Sequence, residues 1–136
     1  MKLSYVVVFV KNIDTSLAFY RDLLDLRLAF RYSEDDGTQV AFLVEKGEVP
    51  MKTQAMIELV ATNEQPPTPS GFLVGVEVKS LDEKTALLHE HGYRLTRGPY
   101  SPDEAFLISE FKGPDGEDIG LMQVDWAHAR TFDAEQ

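Results

Sequence analysis

The chain repeats itself. Val6, Val8 and Val10 recur 68 positions later as Val74, Val76 and Val78, and the same offset sets Ile13-Asp14 on Leu81-Asp82 and Ala18 on Ala86. Asp25-Leu26-Arg27-Leu28 falls on Gly92-Tyr93-Arg94-Leu95 at an offset of 67. Phe42-Leu43-Val44 then meets Phe106-Leu107-Ile108 at 64, and Ile57-Glu58-Leu59 meets Ile119-Gly120-Leu121 at 62. Val and Leu are common enough for any single match to arise by chance. An ordered series with a shrinking offset is what duplication of one module produces when the second copy has shorter loops. Two modules of roughly 60 residues do not make a solenoid, whose repeats are shorter and more numerous. A chain of 136 residues is the size of one ordinary domain. The expected organisation is therefore a single domain over 1–136: module one at 1–61, a linker at 62–70, module two at 71–125 and a tail at 126–136.

Each module reads as strand, helix and three strands. The β-branched run at 3–10 opens the first. Ile13, Leu17, Tyr20 and Leu24 then lie on one stripe of a helix over 13–24. Asn12 or Asp14 can accept from the orphan amides at its start, and Asp25, just past its end, tolerates a left-handed turn. Strands are expected near 26–33, 38–45 and 54–61, with Asp35-Asp36-Gly37 turning the chain between the first two. The stretch 62–70 is polar and holds three prolines, which suits a linker. A strand at 71–79 opens module two. Ser80-Leu81-Asp82-Glu83 is a capping box, and the helix it starts should stop at Gly92. Strands near 93–97, 104–112 and 117–125 follow, the last two joined through the turn Gly113-Pro114-Asp115-Gly116.

Composition narrows the partners. Hydrophobic residues make up 43% of the chain and charged residues 26%, enough apolar side chain for a core. Thirteen basic against twenty-three acidic residues leave a net charge of −10, which repels phosphate backbones and anionic membranes. Neither nucleic acid nor membrane is expected as a partner. There is no cysteine, hence no disulfide, thiol nucleophile or thiolate metal site, and the cytoplasm is the default location. The apolar run at 3–10 is too short to span a bilayer and lacks the pattern of an export signal.

In their order and spacing these residues resemble the vicinal-oxygen-chelate superfamily, which holds glyoxalase I, extradiol dioxygenases, fosfomycin-resistance enzymes and bleomycin-resistance binding proteins. The resemblance spans roughly 3–125. It rests on the first strand leading to Ser16-Leu17-Ala18-Phe19-Tyr20-Arg21-Asp22-Leu23-Leu24, on Ile57-Glu58-Leu59, and on Pro114-Asp115-Gly116 before Ile119. It implies an α+β fold of two βαβββ modules whose sheets curve into a cup, with helices outside and the site within. It also implies a homodimer.

Strand alternation sorts the side chains independently. If Val6, Val8 and Val10 face the helix, Tyr5, Val7 and Phe9 face the other way. By the same parity the cup takes Met56, Glu58 and Val60, then Leu73, Gly75 and Glu77, then Gly120 and Met122. Aromatic, Met and Gly residues with a few carboxylates suit a flat organic ligand. In the metal-using relatives the opening and closing strands of each module supply one ligand each. The resemblance carries those positions onto Tyr5, Glu58, Leu73 (or Phe72 after a one-residue slip) and Gly120. Of these, Glu58 alone is a good ligand, whereas a catalytic zinc site needs about three and an iron site typically two His and a carboxylate.

The expectation is a metal-free, cofactor-free cup of the drug-sequestering type. Tyr5, Phe9, Met56, Glu58, Leu73, Gly120 and Met122 contact a small, cationic or aromatic ligand, with no catalytic residue assigned. The rival is a glyoxalase-like lyase, isomerase or dioxygenase using Glu58 as acid/base or within an unrecognised metal site. Glu58 should have a raised pKa unless a cation such as Arg31 pairs with it. Phe72, Tyr100, Phe106 and Trp126 are further aromatic candidates of unfixed direction, and Trp126 is expected to pack under the tail. His89 and His91 are two apart on a helix and point to different faces, so solvated roles near the helix end are preferred to metal binding.

Overall fold

The computed structural model describes residues 3–49, 52–63, 72–102 and 104–128. Chain contacts divide it into two compact units, Met1–Ser70 with Pro114–Gly116, and Gly71–Gly113 with Glu117–Gln136. Among the described residues each unit carries one four-stranded sheet and one helical segment, and the fold is α+β.

In the first unit the strands are β1 (Tyr5–Phe9), β2 (Arg27–Ser33), β3 (Gln39–Val44) and β4 (Met56–Ala61), in the order β1-β4-β3-β2. β1 runs parallel to β4 and the other pairs are antiparallel. A parallel pair needs a crossover, and the helical segment after β1 provides it. Asn12 caps that segment, its side chain accepting from the Thr15 amide at 2.9 Å.

The expected α-helix over 13–24 is only partly such. α1 covers Ile13–Leu17, and Ala18–Leu23 is a π-helix whose wider turn shows in the Leu24 amide donating to the Phe19 carbonyl at 3.0 Å. The wider turn brings Phe19 and Leu23 inward beside the expected stripe, with Phe19 and Tyr20 meeting edge to face at 5.0 Å. Asp25 ends the segment at φ 62, the left-handed stop expected of it. Val8, Val10, Ala41, Leu43 and Leu59 are buried on the helix-bearing side of the sheet, while Val6, expected with them, is left exposed. The β2–β3 turn is tied by Asp36, whose Oδ1 accepts the Thr38 amide at 2.9 Å, and Gly37 takes φ 91.

The second unit repeats the plan: β5 (Leu73–Glu77), α2 (Leu81–Glu90), β6 (Leu95–Tyr100), β7 (Phe106–Lys112) and β8 (Asp118–Val124), in sheet order β5-β8-β7-β6. The Ser80 Oγ accepts the Glu83 amide at 3.2 Å to start α2, and Gly92 at φ 87 follows its end. Leu81, Leu88, Phe111, Ile119 and Leu121 form the buried side, with α2 against β7 and β8. The strand expected at 93–97 lies later, at Leu95–Tyr100, and passes through Gly98-Pro99. This is possible because β6 is an edge strand, where proline's missing donor is tolerated, and its pairing with β7 shifts register on both sides of Arg97. Most of the expected linker, 64–70, and the tail from 129 lie outside the described residues. No helix among the described residues is long and apolar enough to cross a membrane.

Candidate functional site

The sheet of the first unit has one face under the helical segment and one without it. Cross-strand pairing aligns two rows on the second face. One runs Phe30, Phe42, Glu58, Val7 and the next runs Tyr32, Val40, Val60, Phe9. Tyr5 stands beside Met56 at the start of β1. The expected alternation therefore puts Tyr5, Phe9 and Glu58 on one face. Tyr5 and Phe9 are 51% and 42% exposed, whereas Met56 is buried at 1% against Val40 and Phe42. Met56 is the floor of this face.

Three aromatic rings complete it. Phe30 stacks on Phe42 with centroids 4.4 Å apart and planes 25° from parallel. Tyr32 lies 6.4 Å from Phe30 and 6.3 Å from Phe42, again near parallel. Phe42 is buried while Phe30 and Tyr32 are 44% and 43% exposed. Sequence reasoning does not single these residues out. The available signal is the period-two spacing of Phe30 and Tyr32 in a strand, joined to Phe42 by the hairpin register that the Asp36-Gly37 turn sets.

Glu58 is half-buried between Phe42 and Val7, and among the described residues no donor or cation pairs with its carboxylate. Burial raises its pKa, and the negative charge of Glu34 adds to the rise. Arg31, the cation expected as its possible partner, is on the other side of the sheet. Its Nη1 donates to Asp14 Oδ1 at 2.9 Å and its Nη2 to Gln39 Oε1 at 3.0 Å.

The corresponding face of the second unit has different chemistry. Leu73 lies over Gly120, so a Cβ built on Gly120 would stand 2.8 Å from Leu73 Cδ2. Met122 is half-buried between Glu77 and Ile108. Glu110, opposite Gly120, accepts from the Tyr100 hydroxyl at 2.8 Å and from Arg97 Nη1 at 3.3 Å. That hydrogen bond, reinforced by burial, raises the Tyr100 pKa. Phe106 shares this face, paired with Val124, while Phe72 is exposed just before β5. Trp126, expected to pack, is 65% exposed, and its Nε1 donates to Glu77 Oε2 at 2.8 Å.

The four positions that supply metal ligands in the resembled superfamily do not fit an ion here. Leu73 and Gly120 offer no side-chain donor, and the Leu73 side chain fills the space a longer residue at 120 would need. Tyr5 offers a phenol oxygen, a poorer partner for a divalent ion than imidazole or carboxylate. Glu58 remains as a single carboxylate. Among the described residues no group of three or more His, Cys, Asp or Glu side chains is placed to hold a metal ion. His89 and His91 are exposed at the end of α2, where His91 Nδ1 lies 2.9 Å from the Leu87 carbonyl, and His128 pairs with Asp125 at 2.7 Å.

Comparison with known proteins agrees with this architecture. The family model of the Glyoxalase/Bleomycin resistance protein/Dioxygenase superfamily matches residues 2–121. No curated protein sequence matches significantly. A glyoxalase I mutant from Zea mays superposes with a TM-score of 0.75 at 19% identity over 89% of this chain, which spans 44% of the maize chain. A glyoxalase family protein from Bacillus cereus gives 0.73 at 20% identity, covering 91% of this chain and 94% of its own. TnmS3, an antibiotic binding protein from a Streptomyces species, gives 0.69 at 23% identity, covering 92% and 97%. At such identities the likeness shows the fold alone.

Proposed function

This chain belongs to the glyoxalase/bleomycin resistance protein/dioxygenase superfamily, and on that premise we propose that it is a metal-independent binder of a small organic molecule, cationic or aromatic in character. The observation that carries this reading is Glu58, a carboxylate without a partner among the described residues, on a sheet face made mostly of Val, Met and aromatic side chains. A carboxylate in that setting gains from any ligand that brings a cation or a hydrogen-bond donor. Tyr5 and Phe9 flank it as contacts over the Met56 floor. On the second unit's own face Leu73 and Met122 are apolar contacts, with Gly120 beneath Leu73. Metal independence is supported by the donor set, since two of the four ligand positions carry no donor. The reading includes no cofactor, a homodimer and a cytoplasmic location. Exposed Leu3 and Val6 at the edge of the first sheet suit self-association, and the absence of cysteine suits a reducing compartment.

One observation favours a second reading. The raised pKa of Glu58 keeps a larger protonated fraction near neutrality, which suits an acid/base in a glyoxalase-like lyase or isomerase.

Glu58→Gln keeps the shape and removes the charge. In a thermal-shift and calorimetric screen against cationic aromatic antibiotics, the variant should bind the best hit more weakly by roughly 1.5–3 kcal/mol, the scale of a charge-assisted hydrogen bond. Unchanged affinity would retire the anchor. Elemental analysis of protein purified without chelator should find no stoichiometric zinc, nickel, manganese or iron; finding one would overturn metal independence.

A further inference from the structure

We propose that the ring stack of Phe30, Tyr32 and Phe42 is the platform on which the ligand's flat group lies, and that the ligand is a fused-ring organic cation whose charged end reaches Glu58. This deepens the preceding reading, rests on its Glu58 anchor, and assigns ring-binding residues on a different pair of strands.

The first ground is geometric. Two large rings stand exposed side by side on edge strand β2, an arrangement that leaves apolar surface in water. Their planes lie within 13° of each other. Phe42 stacks on Phe30 and is itself packed against Val40 and Met56. The ring faces are therefore oriented before anything binds, so an incoming flat molecule orders few side-chain torsions.

The second ground is distance and charge. Phe30, Phe42 and Glu58 are successive members of one cross-strand row. Two strand spacings, about 9–10 Å, separate the β2 end of that row from the carboxylate strand. A fused two- or three-ring molecule covers that span. Glu58 belongs to this row and feels the negative charge of Glu34, while Arg31 is held on the opposite side of the sheet. An aromatic anion would be repelled. A cation is attracted both by the carboxylate and by the electron-rich ring faces. An aliphatic cation would satisfy Glu58 yet leave the rings wet.

Proflavine, a planar tricyclic cation, is a direct probe. Its fluorescence should titrate saturably with the full chain, 2-naphthoate should fail to compete, and spermidine should compete only weakly. Phe30→Leu keeps apolar volume while removing the ring, and Tyr32→Ser removes the second ring. Each should weaken proflavine binding by about fivefold or more, as loss of a stacking partner does. Circular dichroism confirms that each variant is folded, and Phe30→Tyr, which keeps the ring, should retain affinity. If Glu58→Gln weakens binding while Phe30→Leu and Tyr32→Ser do not, the platform is overturned and the anchor survives. If the ring variants alone weaken it, the platform position stands and the anchor reading fails. Absence of saturable binding overturns the inference. So does sedimentation showing that wild-type self-association, lost in Tyr32→Ser, covers this face and excludes the dye.

Discussion

Glu58 titrates against its surroundings, and the sign of that conflict can be measured. Its folded pKa lies above the ordinary glutamate value through burial first and the Glu34 charge second. Between the unfolded and folded values the native state holds more proton than the unfolded chain, so stability falls as pH rises through that interval. Urea unfolding of Glu58→Gln across the acidic range should lose this part of the decline, leaving the variant no less stable than wild type at neutral pH. Asp36 works in the opposite sense. The Thr38 amide and hydroxyl hold its carboxyl below the usual range, so the turn's support is present above the ordinary aspartate value and lost as pH falls through the depressed one. Ser16 is a third case: its hydroxyl is buried and, among the described residues, unpartnered. Ser16→Ala should be neutral or stabilise the fold by up to about 1 kcal/mol in urea titration, since no hydrogen bond is lost and a desolvated hydroxyl is removed. Strand parity places Tyr5, Phe9 and Glu58 from the sequence because alternation is a local rule. It cannot rank Met56 below them, because depth depends on what stands above a residue.

At the scale of elements, caps and turns are the most legible features. Asn12, Asp25, Gly37, Ser80 and Gly92 each adopt the role their residue type suggests, since caps and turns involve only neighbouring backbone. Asn12→Ala should cost about 1 kcal/mol in urea unfolding, the usual scale of a lost N-cap bond. The π-helical turn at Ala18–Leu23 was not legible. Periodicity marks an apolar stripe but not the extra residue that brings Phe19 inward as well. Strand β6 is the second miss. Gly98 sits at φ 96, and a Cβ there would stand 2.6 Å from the Ile108 carbonyl oxygen. Gly98→Ala should therefore destabilise by about 2 kcal/mol or more, from positive φ and a backbone clash together, as read by the urea midpoint.

At the scale of the whole molecule, the −10 charge sets a field that any cationic ligand enters. Association of a cationic probe, followed by stopped flow, should slow as salt rises from low to physiological strength, because the Debye length shrinks to about 8 Å. A salt-independent rate would place recognition in the local contacts alone. The duplicated βαβββ plan and most strand limits were written in the sequence, because repeated side-chain patterns and turn residues act over a few positions; the gathering of the strands into sheets came only with the resemblance. The candidate ligand positions came with the resemblance rather than from local pattern, and at two of them, Leu73 and Gly120, the residue type carries no side-chain donor. Three things belonged to the tertiary structure: Leu73 lying over Gly120, Arg31 turning to Asp14, and Phe30, Tyr32 and Phe42 gathering beside Glu58. The physical reason is that sequence periodicity assigns a residue to a face, whereas a stack, a salt bridge or a filled space is made by residues distant in the chain that only cross-strand register and packing bring together.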